Sequence, residues 1–255
     1  PETMCVDPAD IERRISRDTK VIIPVHFAGR AADMAVIASL ARTHGLRVIE
    51  DAAHAIGSEY AGGGKVGNCA YSDMTIFSFH PVKTMTTAEG GAIMTNDAAL
   101  YEKLKMLQTH GVTRDPARLT QDPGPWYYEM QALGFNYRLT DMQAALGISQ
   151  LTKLERLVAR RREIVRAYNE AFRDLSWLQV MDDSAIDRTA YHLYAVRIDF
   201  DAIGMTRGQA MAQLKDRGVG TQVHYIPVYL QPYYREEFGY GYGECPRAEQ
   251  YYARA

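Results

Sequence analysis

The chain has 255 residues, of which 47% are hydrophobic and 24% are charged, and its formal net charge is −2. This length is enough for one large domain or two modest ones with a substantial core. A nucleic-acid partner is not expected, because such proteins usually carry a basic excess or a basic stripe and this chain shows neither. The basic run Arg160, Arg161 and Arg162 lies in a predicted helix and is interpreted as a solvated face.

Three scattered cysteines, Cys5, Cys69 and Cys245, are odd in number and lack the paired spacing of a zinc site. They predict neither a disulfide framework nor a bound metal, and they favour a reducing, cytoplasmic setting. No membrane association is expected, because no apolar run approaches the ~20 residues of a membrane helix and no signal peptide opens the chain. The chain starts at Pro1 without methionine and is interpreted as an internal piece of a longer protein.

Strand and helix patterns alternate along the first part of the chain. Buried strands are predicted at residues 21–25, 48–50, 73–77 and 91–95, and helices at 8–15, 33–45 and 97–107. The order strand, helix, strand predicts a parallel unit with a right-handed crossover. Residues 61–68 (AGGGKVGN) are glycine-rich but lack the pattern of a phosphate loop, so they are interpreted as a surface hairpin.

A long charged helix over residues 151–172 follows a capping box that starts at Thr140, and it leads to a second, smaller domain. We predict one domain over residues 1–152 and another over 153–255. In the second, strands are predicted at residues 178–180, 191–198 and 222–225, and a helix is predicted to open at Thr206. The aromatic-rich residues 226–234 are interpreted as core, with a sugar-binding wall as the alternative.

Two of the predicted strands end in functional side chains. One leads to Asp51 and His54, and the other leads to Ser78 and Lys83. Because ligands bind beyond the carboxyl ends of the strands in an open α/β sheet, these groups are expected to converge there. A carboxylate and an amine at such a crevice suit a pyridoxal phosphate (PLP) enzyme, although the residues alone leave open some other α/β ligand-binding domain.

A PLP enzyme needs a lysine amine that condenses with the cofactor aldehyde and later moves a proton, and Lys83 is the candidate. Asp51 is the candidate for the carboxylate that faces the ring nitrogen. Glu50, its strand neighbour, should point to the opposite face of the sheet. His54 could stack on the ring or bond its phenolic oxygen, and Ser78 could hold a phosphate oxygen.

Several stretches resemble the DegT/DnrJ/EryC1/StrS sugar aminotransferases, a branch of the fold-type I PLP enzymes. They are VIEDAAHAIGSEY, SFHPVKTMTTAEGGA, GFNYRLTDMQAALGISQL and GVGTQVHYIPVY, and the similarity covers nearly the whole chain. The resemblance implies an α/β fold, with a PLP-binding large domain on a mostly parallel sheet and a smaller α+β carboxy-terminal domain, both partial here. It also implies amino transfer from L-glutamate to the C4 ketone of a UDP-linked 2-acetamido-2,6-dideoxy-hexos-4-ulose, as in the pseudaminic acid branch of the family.

The family's functional positions are matched by residues spread along the chain. Lys83 matches the Schiff-base lysine, which makes it the catalytic residue, and Asp51 matches the partner of the pyridine nitrogen. The resemblance further implies that His54 contacts the cofactor ring and that Ser78 contacts phosphate or substrate. Asn136 matches a residue that reaches cofactor and substrate in the neighbouring subunit, which implies a homodimer with shared active sites. A substrate-contacting segment of the small domain is matched by Gln222, Val223, His224 and Tyr225.

Two departures from the family pattern bear on these expectations. Ala88 stands where the family usually has a glycine, and it would strain the loop beside the cofactor if that position needs a positive φ. The family's amino-terminal third, which supplies a phosphate cradle and sugar contacts, has no counterpart in the chain. Its loss would expose a sheet edge or a core face.

Three alternatives stand beside the leading hypothesis. The first is an aminotransferase for another nucleotide-linked 4-keto-6-deoxy sugar. The second is a sugar dehydratase that uses pyridoxamine phosphate, but in that branch the lysine position resembles a histidine, so Lys83 argues against it. The third is a catalytically silent relative that acts as a regulator, which the presence of Asp51, Ser78 and Lys83 together disfavours.

Overall fold

A computed structural model of the chain describes residues 3–255, which form two compact units. The first unit consists of Cys5–Arg161 and Asp187–His192, and the second is made mainly of Arg162–Ile186 and Leu193–Ala255. The predicted domain boundary between residues 152 and 153 stays a prediction. Within the described part, no helix is both long and apolar enough to cross a membrane.

A four-stranded sheet forms the base of the first unit. Its strands are β1 (Val21–Ile22), β2 (Arg47–Asp51), β3 (Met74–Ser78) and β4 (Gly91–Met94), hydrogen-bonded in that order. β2 runs parallel to β1 and β3, whereas β4 pairs with β3 in the antiparallel sense. β1 is shorter than predicted because Pro24 has no N–H to donate, and only a bridge from Val25 to Asp51 continues it.

Side-chain caps mark the starts of four of the five helices in this part of the chain. The five helices are α1 (Pro8–Arg14), α2 (Met34–His44), α3 (Ala98–Leu107), α4 (Asp141–Leu151) and α5 (Leu154–Phe172). Asp33 accepts a hydrogen bond from the N–H of Val36 at the start of α2, and Gly45 closes that helix with φ 64°. Thr140 and Gln143 form the predicted capping box of α4.

The core of the first unit lies between α2 and one face of the sheet. Met34, Ile37 and Ala41 of α2 are buried there together with Val48 of β2 and Phe77 of β3. The helical period of the α2 residues places them on one side of the helix, as predicted. On the other face of the sheet, apolar side chains are exposed, among them Val25, Ile76 and Ile93.

The loop from Phe79 to Gly90 joins β3 to β4 and is held at its base. The N–H of Phe79 donates to the carbonyl of Gly90, and the carbonyl of Phe79 accepts the N–H of Thr87. α4 packs closely against the loop, since a Cβ added at Gly147 would lie 2.9 Å from the Thr87 side chain. Gln143 adds a hydrogen bond from its amide to the carbonyl of Glu89.

Short strands complete the two units. β5 (Val112–Thr113) and β6 (Glu129–Met130) pair in the first unit, and β7 (Leu178–Gln179) and β8 (Arg197–Ile198) pair in the second. The second unit also contains α6 (Arg207–Asp216), α7 (Pro232–Phe238) and α8 (Pro246–Arg254). The predicted strand over 191–198 is wrong except for β8, and that over 222–225 is wrong because those residues have irregular backbone.

Residues 226–234 are not the predicted core as a whole. Leu230 is buried, but Tyr233 is 65% exposed and the neighbouring Tyr234 is also exposed. The predicted preference of aromatic residues for burial is therefore wrong for these two side chains, which lie at the start of the helix α7.

Ala88 has φ 67°, which confirms that this loop position requires a left-handed backbone. An L-residue in that conformation costs about 1–2 kcal/mol, whereas glycine adopts it freely but loses about 0.5–1 kcal/mol through its greater freedom when unfolded. Ala88→Gly is therefore expected to leave the free energy of unfolding unchanged or to raise it by up to about 1.5 kcal/mol. Urea unfolding followed by circular dichroism measures this.

The matched control is Ala159→Gly, at an exposed position inside α5. It is expected to lower the free energy of unfolding by about 1 kcal/mol, because glycine is the poorer helix former. An Ala88→Gly variant that loses as much stability as the control would contradict strain at residue 88.

Candidate functional site

Two parallel strands deliver the predicted site residues to one edge of the sheet. Asp51 is the last residue of β2 and Ser78 the last residue of β3, while Lys83 lies in the loop that follows β3. Asp51 lies opposite Ile76 across the β2–β3 pair. Paired residues of adjacent strands share a face, so Asp51 lies on the sheet face that carries exposed apolar side chains.

Lys83 and Asp51 are brought within electrostatic range of each other. Burial lowers the pKa of the half-buried Lys83 amine, and the Asp51 carboxylate opposes that change without cancelling it. One oxygen of the Asp51 carboxylate accepts the N–H of Ala53 at 3.0 Å, which fixes the side chain at the strand end. The result is an amine that is neutral more often than an exposed lysine, beside a carboxylate of fixed position.

His54 lies in the turn that follows β2, and its ring contacts another histidine. The ring centroids of His54 and His192 are 4.4 Å apart, and that of Phe27 lies 6.3 Å from His54. Reasoning from the sequence missed His192, which is 138 positions further along the chain than His54. No local pattern signals a contact of this kind.

The segment Asp187–His192 returns to the first unit and is fixed there by hydrogen bonds. Ser58 donates its hydroxyl to the carbonyl of Gly29 at 2.5 Å and accepts the N–H of Ala190 at 3.0 Å. The N–H of His192 donates to the carbonyl of Ala28 at 2.8 Å. These bonds hold the His192 ring against His54.

The basic run of residues 160–162 was interpreted as a solvated face, and this interpretation is wrong for Arg161. Its guanidinium donates to the carbonyls of Tyr191 and His192 at 3.0 and 3.2 Å, and burial lowers its pKa. Arg160 keeps the predicted exposure. One member of the run is therefore a structural contact of the segment that carries His192.

The remaining predicted residues lie at different places. The Ser78 hydroxyl accepts the N–H of His80 at 3.4 Å and stays at the strand end. Asn136 is exposed in a segment bonded to the end of α3, and among residues 3–255 no hydrogen bond or ion pair joins it to Asp51 or Lys83. Gln222, Val223, His224 and Tyr225 belong to the second unit, where the rings of His224 and Tyr225 are 4.0 Å apart.

A buried polar cluster around Glu50 was missed by the sequence analysis. Glu50 is fully buried and points to the face opposite Asp51, as predicted for its strand neighbour. Its carboxylate pairs with His26 at 2.7 Å and accepts hydrogen bonds from the hydroxyl groups of three further residues. These are Tyr60 at 2.9 Å, Ser72 at 2.5 Å and Thr75 at 3.0 Å. A charged residue on the inward face of a predicted strand was the available signal.

The side chains at the strand ends fit PLP. An amine of lowered pKa can bond covalently to an aldehyde, and a nearby carboxylate can face a protonated ring nitrogen. His54 provides an aromatic ring and Ser78 a hydroxyl beside them on the same two strand ends. The residues present match the chemistry that the cofactor needs.

Comparison with known proteins identifies the family of the chain. An uncharacterised protein of Methanocaldococcus jannaschii is 43% identical over 253 residues, which cover 99% of this chain and 65% of that protein. Helicobacter pylori PseC, described as an aminotransferase involved in the biosynthesis of pseudoaminic acid, superposes with a TM-score of 0.88 at 32% identity, over 100% of this chain and 65% of that chain. Streptococcus pneumoniae Spr1654, solved in a PLP form, superposes with a TM-score of 0.83 at 28% identity, over 98% and 65% of the two chains.

The chain spans about 65% of the length of these relatives. The family model of the DegT/DnrJ/EryC1/StrS aminotransferases matches residues 1–255. Members of that family depend on PLP, and the structural neighbours have the fold of type I PLP enzymes with a mostly parallel sheet. The predicted fold class and cofactor are thereby confirmed. The chain belongs to the DegT/DnrJ/EryC1/StrS aminotransferase family.

Proposed function

We propose that the protein is a PLP-dependent aminotransferase that moves an amino group from L-glutamate to the C4 ketone of a nucleotide-linked 4-keto sugar. The observation that carries the proposal is that the half-buried Lys83 amine lies within electrostatic range of Asp51. Burial lowers the pKa of this amine. Membership of an aminotransferase family supports the reaction type.

The proposed sugar is a UDP-linked 2-acetamido-2,6-dideoxy-hexos-4-ulose of the pseudaminic acid pathway. The support is the likeness to PseC, an aminotransferase of the biosynthesis of that acid, over the whole of this chain. At 32% identity a relative can differ in substrate, so another nucleotide-linked 4-keto-6-deoxy sugar is the alternative.

The cofactor would be held by Lys83 through Nζ, by Asp51 through a carboxylate oxygen, by His54 through its ring and by Ser78 through its hydroxyl. Bound PLP would supply an electron sink. It would stabilise the negative charge that develops when the C–H bond breaks at the carbon that carries the amino group. With the cofactor bound, Lys83 would hold and move that proton at Nζ. Its lowered pKa favours this role, because a neutral amine is needed to accept the proton.

A homodimer with shared active sites is part of the proposal. Asn136 lies between two exposed aromatic residues, Phe135 and Tyr137, whose stacked rings have centroids 4.9 Å apart. Exposed apolar surface of this kind favours contact with another protein surface. We propose that this segment meets a second copy of the chain, which brings Asn136 to the partner's cofactor and substrate.

The reaction is tested with the whole protein, PLP, L-glutamate and a panel of UDP- and TDP-linked 4-keto sugars. We expect an amino sugar, identified by mass spectrometry and NMR, from the UDP-linked acetamido sugar. Lys83→Ala is expected to abolish the visible absorption of the bound cofactor and to lower the rate at least about 100-fold, because both the anchor and the proton carrier are lost.

Lys65→Ala is the matched control, since Lys65 is an exposed lysine of the same unit paired with Glu59 at 2.7 Å. It is expected to keep both the absorption and the rate. Amino transfer that survives Lys83→Ala would contradict the assignment of Lys83. Protein that binds PLP but aminates no sugar in the panel would favour the silent regulator.

Asp51→Asn is expected to lower the pKa of Lys83 further, because it removes the negative charge that opposes the effect of burial. More of the amine is then neutral at a given pH. Acetylation of the cofactor-free protein by acetic anhydride, measured at Lys83 by peptide mass spectrometry across pH, should show a midpoint displaced to lower pH.

Glu59→Gln removes one negative charge from the Lys65 ion pair and is expected to leave that midpoint unchanged. A midpoint that stays in place or rises in Asp51→Asn would refute the proximity of the two groups. The same variant is expected to retain some PLP but to lose most of the rate of amino transfer.

Mixing an Asn136→Ala variant with a Lys83→Ala variant tests the shared site. Each variant alone is expected to be inactive, whereas a hybrid dimer holds one intact site built from Lys83 of one subunit and Asn136 of the other. Random exchange makes half of the dimers hybrids, so about one quarter of the wild-type activity should return.

Mixing Asp51→Asn with Lys83→Ala is the control. Both residues lie in one subunit, so hybrids of this pair hold no intact site and mixing should restore no activity beyond that of the separate variants. If the Asn136 mixture also stays inactive despite proven subunit exchange, the shared site is excluded.

A further inference from the structure

The buried cluster around Glu50 lies directly behind the strand end that carries Asp51. The two residues are adjacent in β2, and their side chains point to opposite faces of the sheet. Glu50 is fully buried, so its charge must be met by hydrogen-bond donors within the protein. The position of each donor in the chain shows which segments Glu50 holds in place.

The hydrogen bonds of His26 define which of its ring nitrogens carries the proton. Its Nδ1 accepts the N–H of Ala32 at 3.1 Å, so the proton is on Nε2. Nε2 therefore donates to the carboxylate of Glu50 at 2.7 Å. His26 is itself fully buried, and it links Glu50 to the start of the segment that precedes α2.

Glu50 is an ionised acceptor and its partners are donors. Burial is the largest single influence and raises its pKa, but the interactions with His26, Ser72 and Tyr60 together outweigh burial and lower the pKa overall. Burial and the charge of Glu50 raise the pKa of Tyr60 well above its usual range, so that hydroxyl remains a donor. The amide of a glutamine at this position could not accept all of these bonds.

The same segments hold the backbone of Asp51 on both sides. Its N–H donates to the carbonyl of Pro24 at 2.9 Å, and its carbonyl accepts the N–H of His26 at 3.0 Å. On the other side, the N–H of Ala52 donates to the carbonyl of Ile76 at 2.9 Å. His26 thus bonds to Asp51 through its backbone and to Glu50 through its ring.

We propose that Glu50 is a positioning residue that sets the location of the Asp51 carboxylate through its hydrogen bond to His26. It touches neither cofactor nor substrate. The proposal rests on the function proposed above, in which Asp51 faces the ring nitrogen of PLP. A purely structural role would lower stability without acting through Asp51.

A double-mutant cycle separates these two roles. Glu50→Gln is made in the wild-type background and in the Asp51→Asn background, and PLP affinity is measured by fluorescence titration of the whole protein. We expect about tenfold weaker binding in the wild-type background, as when a partner that orients a ligand group is lost. In the Asp51→Asn background, where the group being positioned is already altered, the change should be less than about twofold.

Val48→Ala is the matched control. Val48 lies in the same strand, two residues before Glu50, and is buried on the same face. Its loss is expected to reduce the urea midpoint of unfolding while PLP affinity stays within about twofold of wild type. If Glu50→Gln does not fold, His26→Asn is measured in the same two backgrounds with the same expectation.

An equal loss of PLP affinity in both backgrounds, or an affinity within about twofold of wild type in the Glu50→Gln variant, would overturn the positioning role. A wild-type protein that binds PLP but aminates no sugar would overturn the proposed function and leave this inference standing. A wild-type protein that binds no PLP would overturn both.

Discussion

The need to satisfy one buried charge shapes the strand end on which the site is built. An ion taken out of water costs several kcal/mol unless donors replace the lost hydration. Glu50 obtains those donors from His26, Tyr60, Ser72 and Thr75, which come from separate parts of the first unit. Glu50 therefore links the strand end to the segment before α2 and to both sides of the glycine-rich hairpin.

The adjacent residues Glu50 and Asp51 place their side chains on opposite faces of the sheet. Glu50 faces the interior, where its hydrogen bonds organise the surrounding backbone. Asp51 shares its face with the apolar side chains of Val25 and Ile76. The Asp51 carboxylate raises the pKa of the Lys83 amine against the effect of burial. The alternation of side chains along β2 thus places the buried carboxylate of Glu50 and the carboxylate of Asp51 on opposite faces of the sheet.

Local signals predicted much of the first unit from the sequence. The N-cap residues Asp7, Asp33 and Asp97 and the capping box at Thr140 act over three or four residues, so the starts of α1, α2, α3 and α4 were found. The cluster of Asp51 and Lys83 followed from the position of the strand ends. The partners of Glu50 lie 10 to 25 residues away from it, and no periodicity links them.

The errors lie where distant contacts determine the backbone. Residues 191–192 have the composition of a strand, but Arg161 and Ala28 hold the backbone of His192 in another conformation. Arg161 itself belongs to a charged run that is typical of a solvated helix face, and only the returning segment gives it carbonyls to bond. Propensity is outweighed in both cases by tertiary hydrogen bonds.

The paired ends of the Lys83 loop have a kinetic consequence. Because Phe79 and Gly90 are bonded to each other and α4 packs against Thr87, the loop is ordered when the domain folds. The entropy of closing this loop is then lost during folding and does not have to be lost again when the cofactor arrives. Ordering of this loop therefore adds no slow step of its own to cofactor binding.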